Sequence, residues 1–242
     1  LNYSDTEILD NINKIKNLRI RETLKYFRVN EPIYISTISD LPYNTGLGSS
    51  SAFLVGLINA IFLIKGEKKS LNTIAEIAFK IENMITNNSL GKQDHYIAAY
   101  GDLRKILYKS NIIDVAKITI MKKNLDFLNK NMLFFWTGKS RLSNKNLDSQ
   151  KKNFKKNLDN LKYLKLIANK FNNELKLKKL NLKKLGSLLD ENWQIKQKFT
   201  KNISSNYLNT IYKNAISNGC YGGKLLGAGG GGFFIFICKK KL

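Results

Sequence analysis

The sequence predicts an α+β protein in two parts, and three stretches carry that prediction. A glycine and hydroxyl loop at 41–52 (LPYNTGLGSSSA) runs into an apolar helix, and a glycine cluster at 222–232 (GGKLLGAGGGG) runs into an uninterrupted apolar strand. Lysine- and asparagine-rich amphipathic segments fill most of the second half. The 242 residues suffice for one or two domains with a sizeable core, and neither a long linker nor an internal repeat interrupts them. The boundary is set at a strand near residue 131, giving parts of 1–130 and 131–242.

The elements follow in order. An amphipathic helix is expected over Thr6 to Tyr26, then a strand over Pro32 to Ile38. After the loop, Ala52 to Ile64 (AFLVGLINAIFLI) is apolar nearly all round and reads as a buried helix. Helices continue to about Thr86, including Ile74 to Met84. Short strands are expected around Ile106 to Tyr108 and Ile118 to Met121, and a stronger one over Met132 to Trp136. Helices then cover about 144–174, 182–199 and 207–217, and Phe233 to Cys238 (FFIFIC) reads as a buried strand.

The first loop has the make-up of a phosphate cradle. Gly46 and Gly48 let the backbone approach an anion across Leu47, and Ser49, Ser50 and Ser51 can cap the helix or turn a hydroxyl to a phosphate or its metal. A plain capped core helix explains the same residues equally well. The second cluster tips the balance, because Gly227, Ala228, Gly229 and Gly230 form another loop that costs entropy to order. Gly227 to Gly232 formally satisfies G-x-G-x-x-G, but it precedes a strand instead of opening a helix, so it is no dinucleotide fingerprint. Gly138-Lys139-Ser140 likewise fails as a P-loop, since the required earlier glycine is Leu133.

Carboxylates lie between the two loops. Taken singly, Glu82 on a polar helix face and Asp94 in a turn read as structural. Between two phosphate-type loops, and if Ser50 and Glu82 both face a triphosphate, those two supply the hard oxygen ligands that Mg²⁺ prefers. Asp94 is then free to take the proton of an acceptor hydroxyl, and Lys92 to offset phosphate charge. His95 is the only histidine, which excludes catalysis or zinc binding built on several, and it reads as a wall or packing residue.

These motifs resemble the GHMP kinases. Pro42 to Ala52 is similar to that family's second motif and Lys224 to Phe234 to its third, and the step from Glu82 to Asp94 is similar to that between its magnesium-binding glutamate and catalytic aspartate. The resemblance implies a ribosomal-protein-S5-like N-terminal domain and a ferredoxin-like C-terminal domain with ATP in the cleft between them. It also implies Mg²⁺ as cofactor. Within the family, GLGSSS, LGKQDHYIAAYG, FWTGKSRLS and GGKLLGAGGGGFFIF are most similar to the branch that phosphorylates the anomeric hydroxyl of D-glycero-D-manno-heptose 7-phosphate. Other sugar 1-kinases and a non-catalytic nucleotide-binding remnant are the alternatives. Nothing in Leu1 to Asn30 matches the family's first motif, so the sequence reads as shortened at both ends, with the N-terminal domain incomplete.

Composition narrows the partners. The formal charge of +23 comes almost wholly from scattered lysine, which reads as solvated faces and not as a nucleic-acid surface, while its field favours anionic substrates. Two cysteines, Cys220 and Cys238, set neither a disulfide framework nor a metal pattern and fit a reducing cytoplasm. No apolar run reaches the ~20 residues of a membrane span. The resemblance implies a small sugar phosphate and ATP as partners, and composition and hydropathy argue against nucleic acid and membrane.

Overall fold

Side-chain caps start four of the eight described α-helices. The computed structural model describes residues 1, 6–40, 45–86, 90–110, 112–140 and 153–239. Its helices are α1 (Leu18–Tyr26), α2 (Ser49–Ile64), α3 (Leu71–Ile85), α4 (Gln93–Tyr100), α5 (Lys122–Lys130), α6 (Leu158–Leu175), α7 (Leu182–Gln197) and α8 (Asn206–Ser217). Its strands are β1 (Arg104–Tyr108), β2 (Ile113–Lys117), β3 (Met132–Trp136), β4 (Cys220–Leu225) and β5 (Phe233–Cys238). Residues fall into two compact units, Leu1–Tyr43 with Gly48–Gly101, and Asn44–Leu47 with Asp102–Leu242.

The first unit is helical among the described residues. Only the second part of the long helix expected over 6–26 forms, because Asn17 accepts the amide bonds of Arg19 and Ile20 and so starts α1 at Leu18. Residues 32–38 carry a single bridge at Ser36 and no strand, since a strand needs a ladder partner. α2 buries Leu54, Val55, Leu57, Ile58, Ile61 and Phe62, but Ala52, Gly56, Ala60 and Leu63 form an exposed stripe. It is therefore not buried all round. Its two apolar faces pack separately, Leu57 and Ile61 with Ile15, Ile20 and Leu24, and Leu54, Ile58 and Phe62 with Ile74, Ala78 and Ile81.

The second unit carries both sheets. β1 and β2 pair antiparallel from Arg104 opposite Lys117 to Tyr108 opposite Ile113. This moves the second short strand from the expected 118–121 to 113–117. Ile118 instead enters a core with Leu128, Leu175, Leu180, Leu185 and Ile237, which is why the compact units divide at 101/102 and not at 130/131. β3, β5 and β4 form the other sheet in that order, all antiparallel. Phe234 and Phe236 point from β5 into a cluster with Leu188, Trp193, Leu208, Tyr212 and Leu225.

β3 and β5 match the sequence reading, and α7 and α8 lie within two residues of it. Of the helix expected over 144–174, α6 begins at Leu158, and 144–152 lie outside the described residues. β4 was not expected. Its Gly222 and Gly223 read as loop, yet a Cβ on Gly222 would lie 2.1 Å from the Gly186 carbonyl oxygen of α7, and one on Gly223 2.4 Å from the Ile235 oxygen. Glycine here permits packing. No helix among the described residues is long and apolar enough to cross a membrane.

Candidate active site

Four helices of the first unit converge on one carboxylate. Glu82, on α3, is 1% exposed. Its Oε1 accepts bonds from Nε (3.0 Å) and Nη2 (2.8 Å) of Arg19 on α1, and its Oε2 accepts one from Oγ of Ser51 on α2 (2.9 Å). His95 Nε2, on α4, lies 2.7 Å from the same Oε2. Burial pushes the carboxyl upward, but hydrogen bonds from His95 and Ser50 and the Arg19 charge outweigh it, holding Glu82 at about 2. It is an ionised anion.

The N-terminus of α2 is open. Side chains of Asn17, Ser70, Asn181 and Ser205 cap α1, α3, α7 and α8, whereas α2, like α4, α5 and α6, has no side-chain cap, and its N-cap residue is Gly48, with φ +74°. Uncapped amide N–H groups and the positive end of a sixteen-residue helix are what an anion requires. Asp94, exposed in the first turn of α4, lies against this end: a Cβ on Gly48 would sit 3.4 Å from both Cβ and Cγ of Asp94. Glycine at 48 thus serves the left-handed turn and the approach of Asp94 together.

Lys92 is placed differently. Its Nζ lies 2.7 Å from each oxygen of Glu76 and 5.0 Å from the Phe79 ring centre, and the Tyr96 hydroxyl also bonds Glu76. The ammonium is therefore spent on Glu76 as the side chains stand.

In the second unit the glycine loop is fixed by neighbouring backbone. Gly230 N–H donates to Ile203 O (2.8 Å), Gly232 N–H to Lys139 O (2.9 Å), and Phe233 N–H to Thr45 O (3.3 Å). Thr137 Oγ1 donates to Gly232 O (2.8 Å), and Lys196 reaches the Gly227 carbonyl. Gly227, Gly229, Gly230, Gly231 and Gly232 all have positive φ. Space is equally short: a Cβ on Gly229 would meet Ile203 Cα at 2.8 Å, and one on Gly232 would meet Thr45 O at 2.2 Å. The segment Thr45, Gly46 and Leu47 thus belongs with Gly232 in one unit, while residues 41–44 of the predicted loop lie outside the described residues.

A model described as the GHMP kinases N terminal domain matches residues 11–102, and one described as GHMP kinases C terminal matches 175–242. The chain belongs to the GHMP kinase family. It is 29% identical, over 97% of its own length and 70% of the relative's, to a D-glycero-alpha-D-manno-heptose 7-phosphate kinase of Campylobacter jejuni. Among solved structures it resembles a mevalonate kinase (TM-score 0.68, 25% identity, 95% of this chain and 71% of that one). A putative sugar kinase from Campylobacter jejuni is also similar (TM-score 0.62, 26% identity, 97% and 68%).

In this GHMP kinase chain Ser49, Ser50 and Ser51 open α2, and the structure joins Ser50, Ser51 and Glu82. The donors around Glu82 suit a divalent cation in kind: an ionised carboxylate, serine hydroxyls beside it, and a cation already resting on Oε1 in the Arg19 guanidinium. Arg19 was not anticipated. An arginine in an amphipathic helix has no local pattern that marks it, and only the fold brings it to a residue 63 positions away. The role of His95 was equally hidden, since a lone histidine between Asp94 and Tyr96 has no ligand spacing.

The low value of Glu82 ties stability to acid. Its stabilising contribution is complete above the unfolded value near 4.5 and is lost as pH falls toward about 2. This amounts to roughly 3 kcal/mol at about 1.4 kcal/mol per unit. Urea unfolding of the native chain should therefore lose stability more steeply across that window than unfolding of Glu82→Gln. Parallel pH profiles would contradict the assignment.

Proposed function

We propose that this protein is an ATP-dependent sugar-phosphate kinase, transferring the γ-phosphoryl group to the anomeric hydroxyl of a D-glycero-D-manno-heptose 7-phosphate to give the 1,7-bisphosphate. The observation that carries the reading is Asp94 packed against Gly48 at the uncapped start of α2. A base and an anion-binding helix end are thereby adjacent. Phosphoryl transfer needs little more than that proximity and charge neutralisation. Likeness to the Campylobacter heptose kinase supports the sugar assignment, and other GHMP sugar 1-kinases are its alternative.

In this reading Asp94 takes the proton of the acceptor hydroxyl as its oxygen bonds to the γ-phosphorus, and the bond to the β,γ-bridging oxygen breaks to release ADP. The α2 amides, with Ser49 and Ser51, receive phosphate oxygens. Gly46, Leu47, Gly227, Ala228 and Gly229 are each proposed nucleotide contacts through backbone. Gly230 shares that role less directly, since its N–H is bonded to Ile203. Ser50 and Glu82 would hold Mg²⁺, with Arg19 yielding Oε1, and the ion would supply neutralisation of phosphate charge. Lys92 would contribute its charge only after leaving Glu76.

Asp94→Asn should lower turnover by roughly 10²–10⁴-fold while leaving ATP affinity nearly intact. The assay is ATP-dependent phosphorylation of a panel of sugars and sugar phosphates by the native protein and the variant. Undiminished turnover would remove Asp94 from the chemistry, and preference for an unphosphorylated sugar would overturn the substrate. Separately, Ser50→Ala and Glu82→Gln should each weaken binding of ATP with Mg²⁺ more than binding of ATP in a chelator, measured by calorimetry. Equal losses in both conditions would remove the ligand roles.

A further inference from the structure

The two cysteines that sequence spacing leaves unconnected stand opposite one another in the second unit. Cys220 opens β4, Cys238 closes β5, and the antiparallel register pairs them directly. Both are free thiols and partly buried. Cys238 donates its N–H to Asn131 O (2.8 Å), on the β3 side. In an antiparallel strand a residue's N–H and C=O point to the same neighbour, so toward β4 this is a non-hydrogen-bonded pair. Such pairs bring their Cα atoms to about 4.5 Å, inside the window of about 4.4–6.8 Å that a disulfide spans.

We infer that Cys220 and Cys238 form a reversible cross-strand disulfide site at the base of the hairpin that carries the Gly227 to Gly232 loop. Three further features support it. The thiols interact, since Cys238 is pushed up to about 12 by burial and by its contact with Cys220. The backbone before Cys220 has room: Gly219, with φ +94°, has no neighbouring atom where a Cβ would stand, and a register shift lies between 220 and 222, so the strand end can adjust to the S–S dihedral. Both cysteines also line one cavity of about 570 Å³ with Leu133, Phe135, Ile211 and Phe236. A small disulfide can enter there.

The reaction is thiol–disulfide exchange with a small-molecule disulfide of the glutathione class. The Cys220 thiolate attacks one sulfur of oxidised glutathione, forming a mixed disulfide and expelling one glutathione thiolate. Cys238 then gives up its proton and attacks the Cys220 sulfur, expelling the second. In sum, two protein thiols and one small disulfide become one protein disulfide and two small thiols. Excess reductant reverses both steps. Burial favours the protonated form of Cys238, which makes Cys220 the entry point.

The test is intact-mass and peptide analysis of the folded chain incubated with oxidised glutathione at mildly alkaline pH. The expected product has lost the mass of two hydrogens, retains no glutathione, yields a linked peptide pair containing 220 and 238, and melts higher by roughly 5–10 °C until reductant is added. Cys220→Ser and Cys238→Ser, conservative in size, should instead stop at a single mixed disulfide or not react. Glutathione retained on the native chain, a disulfide between two chains, or thiols that stay unreacted while the urea-unfolded chain reacts would each overturn the site.

Discussion

A carboxylate removed from water stays ionised only where protein donors replace its hydration, and Glu82 takes hydrogen bonds from Arg19, Ser51 and His95. Each donor arrives on a different helix. The carboxylate therefore fixes α1, α2 and α4 relative to α3 more sharply than apolar packing could, because hydrogen bonds tolerate little change in distance or angle. Removing any partner would leave a buried charge undercompensated.

The same bonds prepare the surface beside them. Successive helical residues point about 100° apart, so anchoring His95 on Glu82 aims Asp94, its neighbour on α4, toward Gly48 at the start of α2. Ser51 does the corresponding work for α2, holding its first turn while the helix end carries no side-chain cap. Under the proposed function, a preorganised base beside open amides would lower the reorganisation that phosphoryl transfer must otherwise bear. In the second unit a different constraint applies. There the glycine loop is shaped by lack of room, with backbone oxygens of Thr45 and Lys139 where side chains would begin.

What could be read from sequence follows from the range of the interactions. Both glycine loops, α2, β3 and β5 were legible because glycine clusters and unbroken apolar runs are local patterns, and the family motifs placed Ser50, Glu82 and Asp94 among the candidates. β4 was hidden because Gly222 and Gly223 signal a turn unless the approaching Gly186 backbone and Ile235 are known. The break before α1 and the missing strand at 32–38 reflect competition by Asn17 and the lack of a ladder partner. Arg19, the Glu76 partner of Lys92, and the pairing of Cys220 with Cys238 depend on tertiary contacts or strand register that no spacing rule encodes.

Glu82 and Arg19 form a coupled pair on which the arrangement of the first unit rests. A double-mutant cycle with Arg19→Met, Glu82→Gln and the combined variant, read as unfolding free energies in urea at neutral pH, measures that coupling directly. The expected interaction energy is about 1–3 kcal/mol, favouring the native pair. Additive losses, with a coupling near zero, would contradict it.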